Sequence, residues 1–303
     1  MRRVWAAAAA LLLFLVLAGC GGEPATAGSQ SRAALRVSAI PDRDPAELAT
    51  REQALAAYLA GALGVQVEYV PVTDYAASVN LFRTGDLDLV FYGGLTGVQA
   101  RQQVPDAALL AQRDIDATFR SVFIVNRAAG VGKLAGVQGL TALRGKRFTF
   151  GSESSTSGRL MPEYFLAQAG LSSAADFAGP PGYSGSHDKT IDLVQSGSFE
   201  AGALNVQVWQ DRLEAGTVDL DKVQAVLTTP SYHDYHWIAG PDVDVRLGDG
   251  FTERLRTALL DLDGSDPGEQ KVLDLYGARS LVPTAPQNYD QIEEIARQLG
   301  LLQ

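Results

Sequence analysis

The chain has 303 residues, 46% of them hydrophobic and 20% charged, enough to bury one large core or two smaller ones, which excludes a disordered chain. With 25 Lys and Arg against 35 Asp and Glu the formal net charge is −10, so the electrostatic footprint of a nucleic-acid binder is missing.

At the start of the chain Arg2 and Arg3 precede an apolar run over residues 4–17 that ends in Leu17-Ala18-Gly19-Cys20. A charged start, a short apolar core and small residues before a cut site predict an export signal over 1–19. The run falls short of the roughly 20 apolar residues that a bilayer span needs. Cys20 is the only cysteine, so no internal disulfide can form. The sequence around it resembles a bacterial lipobox, which implies that Cys20 is acylated and holds the protein to the outer face of a membrane. Residues 20–34, mostly Gly, Ala, Ser, Pro and Thr, then read as a lipidated Cys and a flexible tether.

From residue 35 the period of the apolar positions alternates between strand and helix. Strands are expected over 35–40, 65–70, 88–91 and 107–112, with helices over 46–63, 75–84 and 97–103, giving a parallel sheet covered by helices. A β-rich segment over 119–126 and a turn rich in glycine (Gly130, Gly132, Gly136, Gly139) lead into a second α/β series, with strands over 147–150 and 201–204 and helices over 158–169 and 188–196. Residues 235–239 read as a return strand, and helices follow over 251–260, 267–276 and 289–299. The expected organisation is a first lobe from 35–122 plus 236–303 and a second from 123–235, joined by two crossings.

The stretch Phe148-Thr-Phe-Gly-Ser-Glu-Ser-Ser-Thr-Ser-Gly158 runs from a strand end through hydroxyls into a helix. Ser155, Thr156 and Ser157 would place small side chains where first-turn N–H groups lack partners and the helix dipole is positive, an anion cradle. An ordinary capped helix is the plainer reading. The loop Phe91-Tyr-Gly-Gly-Leu-Thr-Gly97 also joins a strand to a helix, with Tyr92, Gly94 and Thr96 on the side where α/β sheets collect ligands. Tyr75 begins a helix after the second strand; for Tyr75 and Tyr92 alike, core packing with a satisfied hydroxyl is the bland alternative. His187 heads another helix and Asn205 follows a short strand, each serving as a ligand contact or as a local cap. Gly130-Val-Gly-Lys-Leu-Ala135 fits the loose dinucleotide pattern but follows a crossing strand and is not clearly continued by a helix, Gly182-Tyr-Ser-Gly-Ser186 fails the hydrolase elbow, and His233 with His236, Asp234 lying between them, lacks a third metal ligand.

The lipobox, Val70-Pro-Val-Thr-Asp-Tyr75, Asp86-Leu-Asp-Leu-Val90 before Tyr92-Gly-Gly, Ser155-Thr-Ser-Gly158 and Gly185-Ser-His187 together resemble the phosphate/phosphite/phosphonate-type substrate-binding proteins of ABC transporters. Within that family, residues 93–101 and 111–116 look like the branch described as selenate-binding. The resemblance implies a type 2 periplasmic-binding-protein fold, two lobes on two hinge strands with a ligand cleft between them. One tetrahedral oxyanion would be held by Tyr75 and Tyr92 from one lobe and by Ser155, Thr156, Ser157 and His187 from the other. It implies a monomeric carrier that hands its ligand to permease subunits, without catalysis, cofactor or metal. Phosphonate-binding relatives tend to carry an acidic group near the position of Asn205; an amide there tolerates an oxyanion without a proton, which favours selenate or sulfate. A phosphite or phosphonate carrier is the alternative within the family, and a serine hydrolase using His187 the alternative outside it.

Overall fold

The computed structural model describes residues 33–302; the expected signal peptide, Cys20 and the tether up to residue 32 lie outside them. The first series comprises β1 (Leu35–Ala39), α1 (Pro45–Leu63), β2 (Val67–Tyr69), α2 (Tyr75–Arg83), β3 (Leu89–Tyr92), α3 (Gly94–Gln103) and β4 (Ala108–Arg113). The second comprises β5 (Ser121–Asn126), β6 (Phe148–Phe150), a π-helical turn (Thr156–Leu160), α4 (Met161–Gln168), β7 (Gly182–Tyr183), α5 (His187–Gln195), β8 (Ala201–Asn205), α6 (Val206–Glu214) and β9 (Val223–Thr228). The chain returns through β10 (His236–Ala239), α7 (Val243–Leu247), α8 (Phe251–Leu260), α9 (Pro267–Tyr276), β11 (Leu281–Val282) and α10 (Asp290–Gln298).

Local chemistry accounts for the element ends. Asp44 caps α1 by accepting from the N–H groups of Ala46 and Glu47, Pro45 supplies a preset φ at the first position, and Gly64 closes the helix at φ 65°. The same sequence of Asp cap, Pro and terminal Gly frames α9, with Asp266, Pro267 and Gly277.

Among the described residues eleven strands form two sheets, one of six in the order β11-β4-β10-β3-β1-β2 and one of five in the order β7-β6-β8-β5-β9. The first sheet departs from the all-parallel expectation. β10 comes back from the second sheet and pairs antiparallel with both β3 and β4, so β3 and β4 are not neighbours. Its four residues, His236-Trp-Ile-Ala239, are all buried, which fits an interior place better than an edge.

Residues 114–120 and 229–235 carry the chain between the sheets and run against each other. Tyr232 N–H donates to the Phe119 carbonyl at 2.9 Å and Asp234 N–H to the Asp116 carbonyl at 3.1 Å. The first sheet's core beneath them is aromatic, with Phe91 packed on Trp237, Tyr235 and Tyr276 at centroid distances of 4.3 to 5.3 Å. Two buried guanidiniums lie against these rings, Arg51 over Tyr276 and Arg113 over Tyr235. Each has a carboxylate partner, Glu52 for Arg51 and Asp116 for Arg113, as buried charges require.

Candidate functional site: a buried pocket of hydroxyls and carboxylates

The site forms where the carboxyl ends of strands from both sheets meet. β1 delivers Asp42, β6 the run Ser155 to Ser157, β8 Asn205, and the second crossing Asp234 and Tyr235, while Tyr75 and His187 begin α2 and α5. Tyr75, Ser157 and Asp234 are exposed by 2% or less, so no solute reaches them without movement of the two halves.

Ser155 caps the π turn, its Oγ accepting from the Gly158 N–H at 2.9 Å. Thr156 Oγ1 accepts from the Leu95 N–H at 2.9 Å, a bond between the second sheet's loop and the start of α3. The Gly94 N–H donates to Asp234 Oδ1 at 2.9 Å, and the Thr96 hydroxyl returns to the Gly93 carbonyl. Gly158 permits this packing. A Cβ there would stand 2.9 Å from Ser155 Oγ and 3.1 Å from both the Gly151 Cα and the His187 ring. Gly158→Ala is therefore expected to lower the melting free energy by about 1–3 kcal/mol, the usual cost of overpacking, and to weaken ligand binding with it; thermal melts with and without ligand check both.

Tyr235 organises the opposite wall. Its hydroxyl donates to Asp42 Oδ2 at 2.9 Å and accepts from the Asn205 amide at 3.1 Å, with His187 Nε2 at 3.4 Å. His187 Nδ1 accepts from the Asn205 N–H at 3.4 Å, which assigns the proton to Nε2. Burial pushes the imidazole down to about 4, so it is neutral near pH 7. Asn205 Oδ1 caps α6 through the Gln207 and Val208 N–H groups.

Two carboxylates dominate the electrostatics. Burial alone pushes Asp42 up, but Arg51 at 3.8 Å, Arg43 and the Tyr235 hydroxyl bring it below the ordinary value, so it is an anion. Burial pushes Asp234 up to about 7, against the Gly94 N–H that holds it down and with Asp116 adding to the rise. Four buried polar atoms here have no hydrogen-bond partner among the described residues: Asp42 Oδ1, which stands 3.8 Å from Arg51, Asp234 Oδ2, Tyr75 Oη and Ser157 Oγ. In that state each carries a desolvation cost that only a polar guest offsets. The cluster thus sets two hydroxyls beside two carboxyl groups.

Of the residues singled out by sequence, Tyr75, Ser155, Thr156, Ser157, His187, Asn205 and Gly94 come together here. The structure corrects several of their roles. His187 spends its ring nitrogens on Tyr235 and the Asn205 backbone N–H, and Asn205 spends its amide on Tyr235 and the α6 cap, so they support the wall instead of offering free donors. Tyr92 stands apart: its hydroxyl donates to the Ser78 carbonyl at 2.9 Å and its ring meets Phe82 edge-on in the core. Gly94 and Thr96 have their polar groups committed as well. Sequence reasoning missed Asp42, Asp234 and Tyr235. Asp42 follows the first strand's carboxyl end, a signal that could have found it; Asp234 was visible only as the spacer between two histidines.

A family model described as ABC transporter, phosphonate, periplasmic substrate-binding protein matches residues 37–289. The chain belongs to this family. It is 46% identical over 266 residues to the probable ABC transporter phosphite binding protein PhnD1 of Prochlorococcus marinus strain MIT 9301, covering 88% of this chain and 90% of that one. It is 23% identical over 311 residues to the phosphate-import protein PhnD of Mycolicibacterium smegmatis, covering 97% and 95%. The structure of PhnD1 in complex with methylphosphonate matches with a TM-score of 0.87 over 89% of this chain and 99% of the other. The aliphatic sulphonate binding protein SsuA of Escherichia coli, 14% identical with a TM-score of 0.56 over 89% of this chain and 88% of its own, shares the fold. The architecture is the expected two-lobed, type 2 periplasmic-binding-protein fold. Members of the phosphonate family work outside the cytoplasm, taking up a small anion for the permease of an ABC transporter, a transport role and not a catalytic one. Among the described residues no helix is long and apolar enough to cross a membrane.

Proposed function

We propose that this family member captures phosphite or a small phosphonate, closing its two lobes around the anion and delivering it to the permease while lipid on Cys20 holds it, as a monomer, at the membrane. The observation that carries the reading is the pair of buried carboxylates with free oxygens, Asp42 and Asp234, set among the Tyr75 and Ser157 hydroxyls. A monoanion of phosphite or of an alkylphosphonate keeps one acidic P–O–H and offers it as a donor, whereas its other oxygens accept. A carboxylate accepts from that proton and repels an oxyanion that has none. Sulfate and selenate carry no proton near neutral pH, so the phosphite or phosphonate alternative fits better than the selenate reading. The reasoning from Asn205 fails because its amide faces Tyr235 and α6, so it does not decide the ligand's protonation. The 46% identity to a phosphite binding protein supports the same ligand class.

Closure rather than bond chemistry is the proposed mechanism. A ligand that bridges donors on both lobes binds the closed form better than the open one and shifts the population toward it. A serine hydrolase is disfavoured, since the His187 Nδ1 meets a backbone N–H instead of a carboxylate and its Nε2 faces a tyrosine hydroxyl instead of a serine.

A thermal-shift panel tests the ligand class. Phosphite and methylphosphonate at a hundred times their dissociation constants stabilise by about 2.7 kcal/mol, which for a protein of this size is a shift of about 5–10 °C. Sulfate and selenate at equal concentration are expected to leave the midpoint unmoved; a larger shift with either would overturn the assignment.

A further inference from the structure

The loop after β1 touches the second half of the molecule at three successive residues, none through the free atoms of the anion pocket. The Asp42 carbonyl accepts from the His187 N–H at 3.0 Å. Arg43 Nη1 meets Asp211 Oδ2 at 2.9 Å, and the Asp44 N–H donates to Asp188 Oδ2 at 2.9 Å. The receiving surface is held firm: Arg212 bonds Asp188 at 3.0 Å and Asp192 at 2.9 Å, tying α6 to α5. Arg43, Asp44, Asp188 and Asp211 all line a cavity of about 980 Å³ that Tyr75 lines as well. Tyr75 thus belongs both to this cavity and to the buried cluster.

We infer that Asp42, Arg43 and Asp44 form a clasp that engages α5 and α6 and sets how long the ligand stays, with Arg43, Asp188 and Asp211 acting as positioning residues. The inference rests on the hinge-closing function proposed above. Contacts made only in the closed form stabilise that form, and release requires opening, so their loss raises the dissociation rate. Ligand meets the open form, where the clasp is apart, so association stays nearly constant. The Asp211 side chain is 43% exposed and that of Arg43 only 10%, so the pair is sensitive to salt at its Asp211 end and Asp211→Ala is the change that leaves the interior packing alone.

Stopped-flow kinetics with methylphosphonate on wild type, Arg43→Ala, Asp211→Ala and the double variant provide the test. Each single change is expected to speed dissociation about three- to tenfold, with association within about twofold and the unliganded melting temperature unchanged. The double variant should dissociate no faster than the faster single, because both remove one contact, and Arg43→Lys should recover part of the loss. Unchanged dissociation, fully additive effects, or a lower melting temperature with normal kinetics would each overturn the clasp. Should wild type bind neither phosphite nor methylphosphonate, the ligand assignment fails while the clasp stays testable without ligand. In a Cys20→Ser protein, spin labels on cysteines introduced at the exposed Ala57 and Ala175 report the distance between the halves. Arg43→Ala is expected to widen that distribution, and an unchanged distribution contradicts the clasp.

Discussion

In an Asp234→Asn protein, affinity for methylphosphonate falls about 100-fold while the fold is kept, because a charge-assisted hydrogen bond contributes roughly 1.5–3 kcal/mol and each 1.4 kcal/mol is tenfold. The asparagine Oδ1 still accepts from the Gly94 N–H, so the start of α3 keeps its anchor. The change falls on the second oxygen, which has no partner within the protein and becomes an NH2 donor facing the ligand's own O–H. The variant also has a signature in the absence of ligand. The Asp234 carboxyl stands at about 7 in the folded protein against 3.8 for the free group. A group raised on folding contributes stability that is fully present below the lower value and is lost as pH rises through the upper one. The stability of wild type minus that of Asp234→Asn should therefore fall between about pH 4 and pH 7, by something of order 4 kcal/mol at most. His187 and His236, which burial pushes down to about 4 and about 3, contribute the opposite slope in both proteins and cancel in the difference. Melting curves across that range check it, and a flat difference contradicts the protonation assigned to Asp234.

The second large effect concerns the hydroxyls. Tyr75→Phe and Ser157→Ala each remove a buried group that has no hydrogen bond among the described residues. Taking away an unsatisfied polar atom relieves a desolvation cost, so the unliganded protein should melt at the same temperature or slightly higher. Binding should move the other way, by about tenfold to 100-fold for each, since each hydroxyl donates to a charged oxygen in the bound state. Calorimetric titration beside a thermal melt separates the two consequences. A hydroxyl that mattered only for packing would lower stability and leave affinity alone.

The reading of the sequence was sound where the signal is local. α8 and α9 were expected over 251–260 and 267–276 and occupy those positions: Asp266, Pro267 and Gly277 mark the ends of α9, and the buried Phe251, Leu255, Ala258 and Leu259 repeat along α8 with the helical period, although no side chain caps it. The hydroxyl run over 154–157 was visible for the same reason, as longer than a cap requires, although it leads into a π turn with the Leu160 N–H reaching back to the Ser155 carbonyl. What stayed hidden depends on pairing between distant parts of the chain. β10 lies between β3 and β4 although it follows them by more than a hundred residues, and no local pattern encodes that place. Tyr92 was misassigned because all four residues of β3 are buried, so the strand gives no alternation to say which aromatic faces the site and which the core. Asp42 and Asp234 lie in loops, on the first strand's exit and on the second crossing, and only the meeting of both halves brings them together. Their isolation from water is a product of the fold, and it is the reason the proposed site could not be read from either carboxylate's neighbours in sequence.

The most direct test is a crystal structure of the protein with methylphosphonate bound. We expect one phosphonate oxygen within 2.7–3.1 Å of Tyr75 Oη or Ser157 Oγ and another within 2.5–2.8 Å of a free oxygen of Asp42 or Asp234, roughly the distances of charge-assisted bonds. A phosphonate held instead at the mouth beside Arg43 and Lys189, or in the pocket with both carboxylates turned away from it, would contradict the account.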